Sequence, residues 1–225
     1  MNIEICCNSI QSAANAKAAG ATRIELCQDL ENGGTTPSYA AIRHCVENLK
    51  LDVFVLIRPR SGDFCYNDLE IETMAEDVRI CKQLGVAGIV VGFLTPGGEV
   101  DTALTRRFVE LAAPLPVTFH RAFDEIRQKS LEALRAVAAA GCHRLLTSGQ
   151  RPTAPEGAAV IRTLVNATHV EILAGSGVTP SNVRELIAKT GVREVHASCK
   201  KILPDGTIQT DPKQVRQLID NIYSL

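Results

Sequence analysis

Two short apolar runs in the sequence repeat the pattern Glu-x-Cys. The first run is IEICC, with Glu4 and Cys6, and the second is RIELC, with Glu25 and Cys27. Residues i and i+2 of a β-strand face the same side, so on neighbouring strands at equivalent register these four side chains would meet. Thiolate sulfur is a soft ligand that favours Cu(I) or Zn(II) over hard cations. The two cysteines are therefore candidates for soft-metal binding, and the alternative is that both pack as small core residues.

Cationic side chains and a histidine end two further runs. Arg58 and Arg60 follow VFVLI, and two guanidinium groups one alternation apart can reach the same cavity and bind phosphate or carboxylate. His120 ends PVTFH, with Arg121 and Asp124 directly behind it. We expect Asp124 to orient the His120 ring as a general acid/base pair, and the alternative is a hydrogen-bonded structural histidine.

The last three runs end in small polar residues. Ser148 closes RLLTS, and Gly175 and Gly177 flank a serine just before a Thr-Pro pair. That turn indicates a phosphate cradle at a helix start, where backbone N–H groups attract an anion, although a simple tight turn is the alternative. His196 and Ser198 end the final run, and His196 is a second acid/base candidate.

Buried charges need partners, because an unpaired charge in a protein interior is strongly destabilising. We expect one ion-paired network among the two inward glutamates, the candidate histidine of the last run and the arginines at 23, 58, 60 and 121. A ligand site is one interpretation of this network. A polar interior whose charges only neutralise one another is the other.

These residues must be positioned by eight apolar runs that alternate with helical stretches at a mean spacing of about 27 residues, which suits a strand plus a helix. The runs are residues 3–7, 23–27, 53–57, 88–92, 116–120, 144–148, 170–175 and 194–198, and a helix over 211–223 follows the last. Near-continuous apolar strands indicate a parallel sheet buried on both faces. The pattern predicts a single (β/α)₈ TIM barrel over residues 1–225, in which the carboxyl ends of the strands carry the chemistry. A doubly wound open sheet is the alternative, but no G-x-G-x-x-G follows the first strand.

Helix boundaries carry their own signals. Glycine at the end of a helix accepts the left-handed conformation, and proline after a threonine cap suits a helix start. The predicted helix ends are at Gly20, Gly85, Gly141 and Gly191, and the predicted helix starts are at Thr36-Pro37, Asp101 and Thr179-Pro180.

Composition excludes several classes of protein. The net charge is −1 and aromatic residues are 4% with no Trp, so no basic, aromatic face for nucleic acid is indicated. No run approaches the roughly 18 apolar residues of a membrane span. The N-terminal residues do not resemble a signal peptide, and the eight cysteines contain no C-x-x-C pair, so we expect a cytoplasmic protein with free thiols.

Seven segments in one order resemble the CutC family of copper homeostasis proteins. They are EICCNS, AGATRIELC with GGTTPS after it, IRPRSGDFCY, VTFHRAFD, LLTSGQ, AGSGV and EVHAS, over residues 3–198. The resemblance implies a cytoplasmic (β/α)₈ barrel, often a homodimer, associated with copper tolerance and Cu(I) binding by cysteines. The cysteines that match are Cys6 and Cys27. The stretch 199–206 is shorter than in many relatives, so a lid or dimer contact from that loop is not carried over.

Two hypotheses of function follow. The first is a Cu(I)-binding protein in copper handling, with its ligands at the two matching cysteines. The second is an enzyme acting on a small anionic, for example phosphorylated, metabolite, in which the residues at 58, 60, 120, 121 and 124 converge on one cavity. A scaffold without a site is a third reading, disfavoured because barrels of this kind usually carry a site at the strand ends.

Overall fold

The computed structural model describes residues 1–223 and contains the predicted closed barrel. Eight parallel strands pair in chain order, and the last strand pairs with the first. The strands are β1 (Asn2–Cys7), β2 (Arg23–Leu26), β3 (Asp52–Leu56), β4 (Gly88–Val91), β5 (Val117–Phe119), β6 (Arg144–Thr147), β7 (Glu171–Ala174) and β8 (Glu194–Ala197). The open-sheet alternative is therefore wrong.

A helix follows every barrel strand. The helices are α1 (Ile10–Ala18), α2 (Tyr39–Arg43), α3 (Asp68–Leu84), α4 (Thr102–Ala112), α5 (Ser130–Ala139), α6 (Ala158–Val165), α7 (Val183–Thr190) and α8 (Pro212–Tyr223). Between β8 and α8 the chain forms an antiparallel hairpin, β9 (Lys200–Ile202) and β10 (Ile208–Thr210), which was not predicted from the sequence. In the part of the chain that the structure describes, no helix combines the length and hydrophobicity needed to cross a membrane.

Most of the predicted helix boundaries are confirmed. The four helix-end glycines have φ values of 99°, 69°, 90° and 74°, all in the left-handed region. Asp101 caps α4, because its carboxylate accepts a hydrogen bond from the Leu104 N–H.

The prediction that two helices begin at the Thr-Pro pairs is wrong. Ser38, not Thr36, caps α2, because the Thr36 hydroxyl is hydrogen-bonded to the backbone of Arg58. At the other start, the Thr179 N–H donates to the Asn182 side chain in a turn, and α7 begins only at Val183.

Alternation along the strands sorts the side chains as expected. Ile5, Cys7, Ile24 and Leu26 are fully buried between the barrel and the helices. Cys6, Cys27, Phe54, Leu56 and Val90 form a separate cluster. The Glu-x-Cys side chains therefore point into the barrel, opposite to the helix-facing residues.

Candidate functional site

The thiols of Cys6 and Cys27 meet inside the barrel. Their Sγ atoms are 3.9 Å apart, and both residues are buried, at 5% and 2% exposure. The side chains of Phe54 and Leu56 pack around them. The prediction that the repeated pattern brings the two sulfurs together is confirmed.

The equivalent register on which that prediction rested is wrong. Cys6 pairs with Glu25, and Glu4 pairs with Arg23, so the two Glu-x-Cys segments are offset by two residues. The cause is the stagger of adjacent strands that closing a barrel imposes. Cys27 consequently lies one layer nearer the carboxyl ends of the strands than Cys6, and the sulfurs meet diagonally.

His196 joins the thiols from β8, which is the other neighbour of β1. Ligand atoms of Cys6, Glu25 and His196 all lie within 4.8 Å of one another, and the three residues are buried. The His196 ring is held by Glu4, whose Oε1 is 3.0 Å from Nδ1, and its Nε2 lies 3.5 Å from Glu25 Oε2. Cys6 therefore lies between the Cys27 sulfur on one side and the His196 ring and Glu25 carboxyl on the other.

Burial and neighbouring charges determine which groups of this cluster carry a proton. Burial lowers the pKa of His196, but Glu25, Cys6 and Glu4 outweigh it and raise the pKa well above its usual value. Glu4 keeps a lowered pKa, because its bonds to His196 and nearby arginines overcome burial. Burial raises the pKa of Glu25, and the Cys27 contact together with burial raises that of the Cys6 thiol. The geometry thus stabilises an ion pair between Glu4 and His196, with a protonated Cys6 thiol beside it.

Below this cluster lies an ion-paired layer, of which the sequence predicted Glu4 and Arg23 but not the other two members. Arg23 binds both Glu4, at 3.1 Å, and Glu194, at 2.6 Å. Arg144 lies 3.5 Å from Glu194 and places its guanidinium carbon 3.8 Å from the centroid of the Phe54 ring. Arg144 and Glu194 were not predicted because they are the first residues of their strands, whereas candidate site residues were sought at the carboxyl ends. Each stands two residues before an inward residue, so the alternation rule could have found both.

Above the thiols the strand ends open into a cavity of about 580 Å³. Several of the predicted site residues border it, namely His120 from the predicted acid/base pair and Glu25, Arg58, Arg121, Gly177, His196 and Ser198 from the predicted anion- or substrate-binding set. Lys200 and Cys199 contribute to the wall from the segment that ends in the hairpin. The cavity is within the usual size range of small-molecule sites, and it is larger than a single metal ion requires.

Arg58 and Arg60 do not share this cavity. Arg58 is buried and donates to the backbone carbonyls of Asn32, Gly34 and Gly62. Arg60 lies outside, where it binds Asp63 and Glu70. The prediction failed because β3 ends at Leu56, so strand alternation no longer governs the direction of residue 60.

Asp124 does not orient His120. It accepts hydrogen bonds from the Thr147 hydroxyl, the backbone N–H groups of Ser148 and Gln150, and Arg121 Nε. His120 Nδ1 instead accepts from the Ala122 N–H, and burial and the nearby Arg58 lower the pKa of His120 to about 3. The proposed acid/base pair is therefore wrong, and this ring is neutral at physiological pH.

Of the remaining predicted residues, one glycine borders the cavity, while the serine and the other glycine have structural roles. The hydroxyl of Ser148 is engaged with Asp124 and the Arg151 carbonyl, which makes it part of a loop anchor. Gly175 does not border the cavity, because the space beside its Cα is filled by Leu146 and His196. Gly177 does border the cavity, but α7 begins six residues later, so the expected cradle at a helix N-terminus is not formed.

The predicted charge network is split into separate groups. Of the predicted cationic members, Arg23 and His196 contact the inward glutamates, while Arg58, Arg60 and Arg121 bind elsewhere. Arg58 and Arg60 follow the end of β3, and Arg121 lies in a 3₁₀ turn after β5, so their side chains bind loop groups instead of reaching down into the barrel.

Comparison with known proteins decides the family. The model of the CutC family matches residues 1–201. The chain belongs to the CutC family. A CutC protein from Chromobacterium violaceum is 47% identical over 200 residues, covering 88% of this chain and 81% of that protein. The human protein named copper homeostasis protein cutC homolog is 40% identical over 206 residues, which cover 91% of this chain and 75% of the human one.

Solved structures agree with the CutC assignment. A crystal structure of a CutC protein from Streptococcus agalactiae superposes with a TM-score of 0.83 at 33% identity, covering 88% of this chain and 98% of that one. A thiamine phosphate pyrophosphorylase from Pyrococcus furiosus has a TM-score of 0.66 at 16% identity, over 99% and 96% of the two chains, which shows a shared fold alone.

Proposed function

We propose that this CutC protein binds Cu(I) between Cys6 and Cys27 and acts in copper handling. The observation that carries the proposal is the 3.9 Å approach of two buried sulfurs inside the barrel. The copper homeostasis name of the human relative supports it from a second direction. Soft thiolate ligands select Cu(I) over the hard cations that are abundant in cells.

The donor set fits a soft metal ion. Metal–thiolate bonds are about 2.3 Å long, so two sulfurs on one ion can be at most about 4.6 Å apart, a limit that 3.9 Å satisfies. Phe54 and Leu56 pack beside the sulfurs and shield them from water. Glu4 fixes the orientation of the His196 ring, as carboxylates commonly do for histidines near metals. Binding would displace the proton of the Cys6 thiol, because the thiolate is the ligand.

The proposal is tested by titrating Cu(I) under reducing conditions against a competing chelator. The informative variant is the Cys6→Ser, Cys27→Ser double variant. Its matched control is Cys65→Ser, Cys142→Ser, which removes two thiols that do not border the cavity. We expect tight binding of one Cu(I) by the wild type and the control, and loss of that site in the cavity variant. Equal stoichiometry and affinity in all three proteins would refute the proposal.

We also propose that the protein is a cytoplasmic homodimer. All eight cysteines are free thiols, which suits a reducing compartment. Light scattering of the purified protein tests the dimer, and cell fractionation tests the location.

The cavity favours a second candidate function, an enzyme acting on a small anionic metabolite. About 580 Å³ of space lies above the thiols, and the buried guanidinium of Arg58 borders it. Because burial and Arg58 lower the pKa of His120 to about 3, and because its Nδ1 is already engaged by the Ala122 N–H, His120 would be a weak general base in an enzyme of this kind. A screen of anionic metabolites for turnover by the wild-type protein tests this candidate.

A further inference from the structure

His120 presents an unused hydrogen-bond donor at the cavity wall. Its Nδ1 accepts a hydrogen bond from the Ala122 N–H at 3.0 Å, so Nδ1 carries no proton. The neutral ring must then carry its proton on Nε2. Within residues 1–223, the Nε2 atom is buried and has no hydrogen-bond partner. Buried donors are normally satisfied, so this one indicates an acceptor supplied from outside the chain.

Arg58 is a buried charge, and within residues 1–223 the nearest influence on it from a carboxylate is that of Asp63, which makes no direct ion pair with it. Its terminal nitrogens donate to three backbone carbonyls, and among the described residues its buried Nε has no hydrogen-bond partner, although the Tyr66 hydroxyl is near the guanidinium. No carboxylate among the residues that the structure describes makes an ion pair with it, whereas Arg121 on the same cavity is paired with Asp124. Buried charges are ordinarily paired, so Arg58 also indicates a missing anion.

One aromatic ring connects the two groups. Phe64 lies with its ring centroid 4.9 Å from that of His120, and the guanidinium carbon of Arg58 is 4.8 Å from the same Phe64 centroid. Phe64 itself borders the cavity and is more exposed than either neighbour. Its ring packs against both groups, and its outward displacement would give a ligand access to them.

We propose that Arg58 and His120 form a subsite for the carboxylate or phosphoryl group of a small molecule. Arg58 supplies the positive charge, the Nε2–H of His120 donates to one anion oxygen, and the Phe64 ring moves aside to admit the group. His120 is thus a hydrogen-bond donor to the bound ligand. The subsite rests on the second candidate function above and is independent of copper binding.

The first test measures binding of inorganic phosphate and of succinate by calorimetry, in chloride buffers of matched ionic strength. We expect Arg58→Gln to weaken binding by about tenfold or more, because the charged partner is lost. His120→Leu should weaken binding several-fold, and His120→Gln, which keeps an N–H donor, should weaken it less. Arg60→Gln is the matched control, since it removes the same charge two residues away, outside the cavity.

The second test needs no variant and so does not depend on their folding. Nitrogen-15 NMR of the wild-type histidines reports whether His120 carries its proton on Nε2, and whether that signal shifts when each anion is added. Phosphate or succinate that shifts the His120 Nε2–H signal supports the subsite, and the stronger of the two identifies the preferred anion. Binding that is equal in Arg58→Gln and wild type would overturn the subsite while leaving anion binding elsewhere intact. No binding of either anion and an unshifted His120 signal would overturn the subsite and weaken the enzyme candidate with it.

Discussion

Replacing Glu4 by glutamine removes one negative charge from the barrel interior and leaves the size of the side chain almost unchanged. Glu4 is 1% exposed and contacts His196 at 3.0 Å, Arg23 at 3.1 Å and Arg144 at 3.8 Å. Without Glu4, these three cationic groups face Glu194 and a Glu25 carboxyl whose pKa burial has raised. Removing one partner of a buried ion pair costs about 3–5 kcal/mol.

The lower end of that range is expected here, because Glu194 continues to pair with Arg23 and Arg144. A loss of about 3 kcal/mol in a chain of this length corresponds to a fall in Tm of about 6–12 °C. Urea denaturation followed by circular dichroism measures the free energy of unfolding, and calorimetry measures Tm. The matched control is Glu185→Gln, which removes a carboxylate from an exposed pair with Lys189 and should leave both quantities nearly unchanged.

A free energy of unfolding for Glu4→Gln within about 1 kcal/mol of the wild type would refute this reasoning. It would mean that the cations of the barrel interior are compensated without Glu4. A double-mutant cycle with His196→Gln then measures the coupling, because only an interaction energy that favours the folded state shows that the two side chains stabilise each other.

Two further substitutions test the packing and the loop anchor. Gly88→Ala would place a Cβ 2.0 Å from Cε1 of Phe54, so it should destabilise by about 1–3 kcal/mol, with partial recovery on adding Phe54→Leu. Gly97→Ala, whose nearest contact would be 3.5 Å, is the control, and equal denaturation midpoints for the two alanine variants would contradict the expectation. Asp124→Asn replaces a buried acceptor of several hydrogen bonds, so it should cost about 3 kcal/mol in urea denaturation, and a loss below about 1 kcal/mol would show that the loop tolerates the amide.

The fold was predictable because its signals are local and periodic. Each apolar run became a strand within one or two residues of its predicted ends, and the helix-end glycines have the expected positive φ. Alternation also placed the inward residues of β1 and β2 correctly. The helix starts after Thr-Pro were less predictable, because the Thr36 hydroxyl makes a long-range bond to the Arg58 backbone that no local pattern contains.

The side-chain positions of the site could be predicted only for residues that lie on the strands or directly beside them. Cys6 and Cys27 lie on or directly beside strands, so alternation brought them together. Arg60 and Asp124 follow the ends of their strands, where turns set the side-chain directions and each found a partner of its own. The neutrality of His120 depends on burial beside Arg58, and that arrangement is a property of the folded chain and not of the sequence around position 120.

The layers inside the barrel have a consequence for any cation that enters from the cavity. The carboxylates of Glu4 and Glu194 are already neutralised by Arg23 and Arg144, so they offer little to ions that need oxygen ligands. The sulfurs lie above these pairs and nearer to the opening. If the protein binds copper as proposed, the barrel would select by chemical hardness along its axis. A soft ion would meet sulfur before the charged layer, whereas an ion that needs oxygen ligands would meet a Glu25 carboxyl that His196 already contacts.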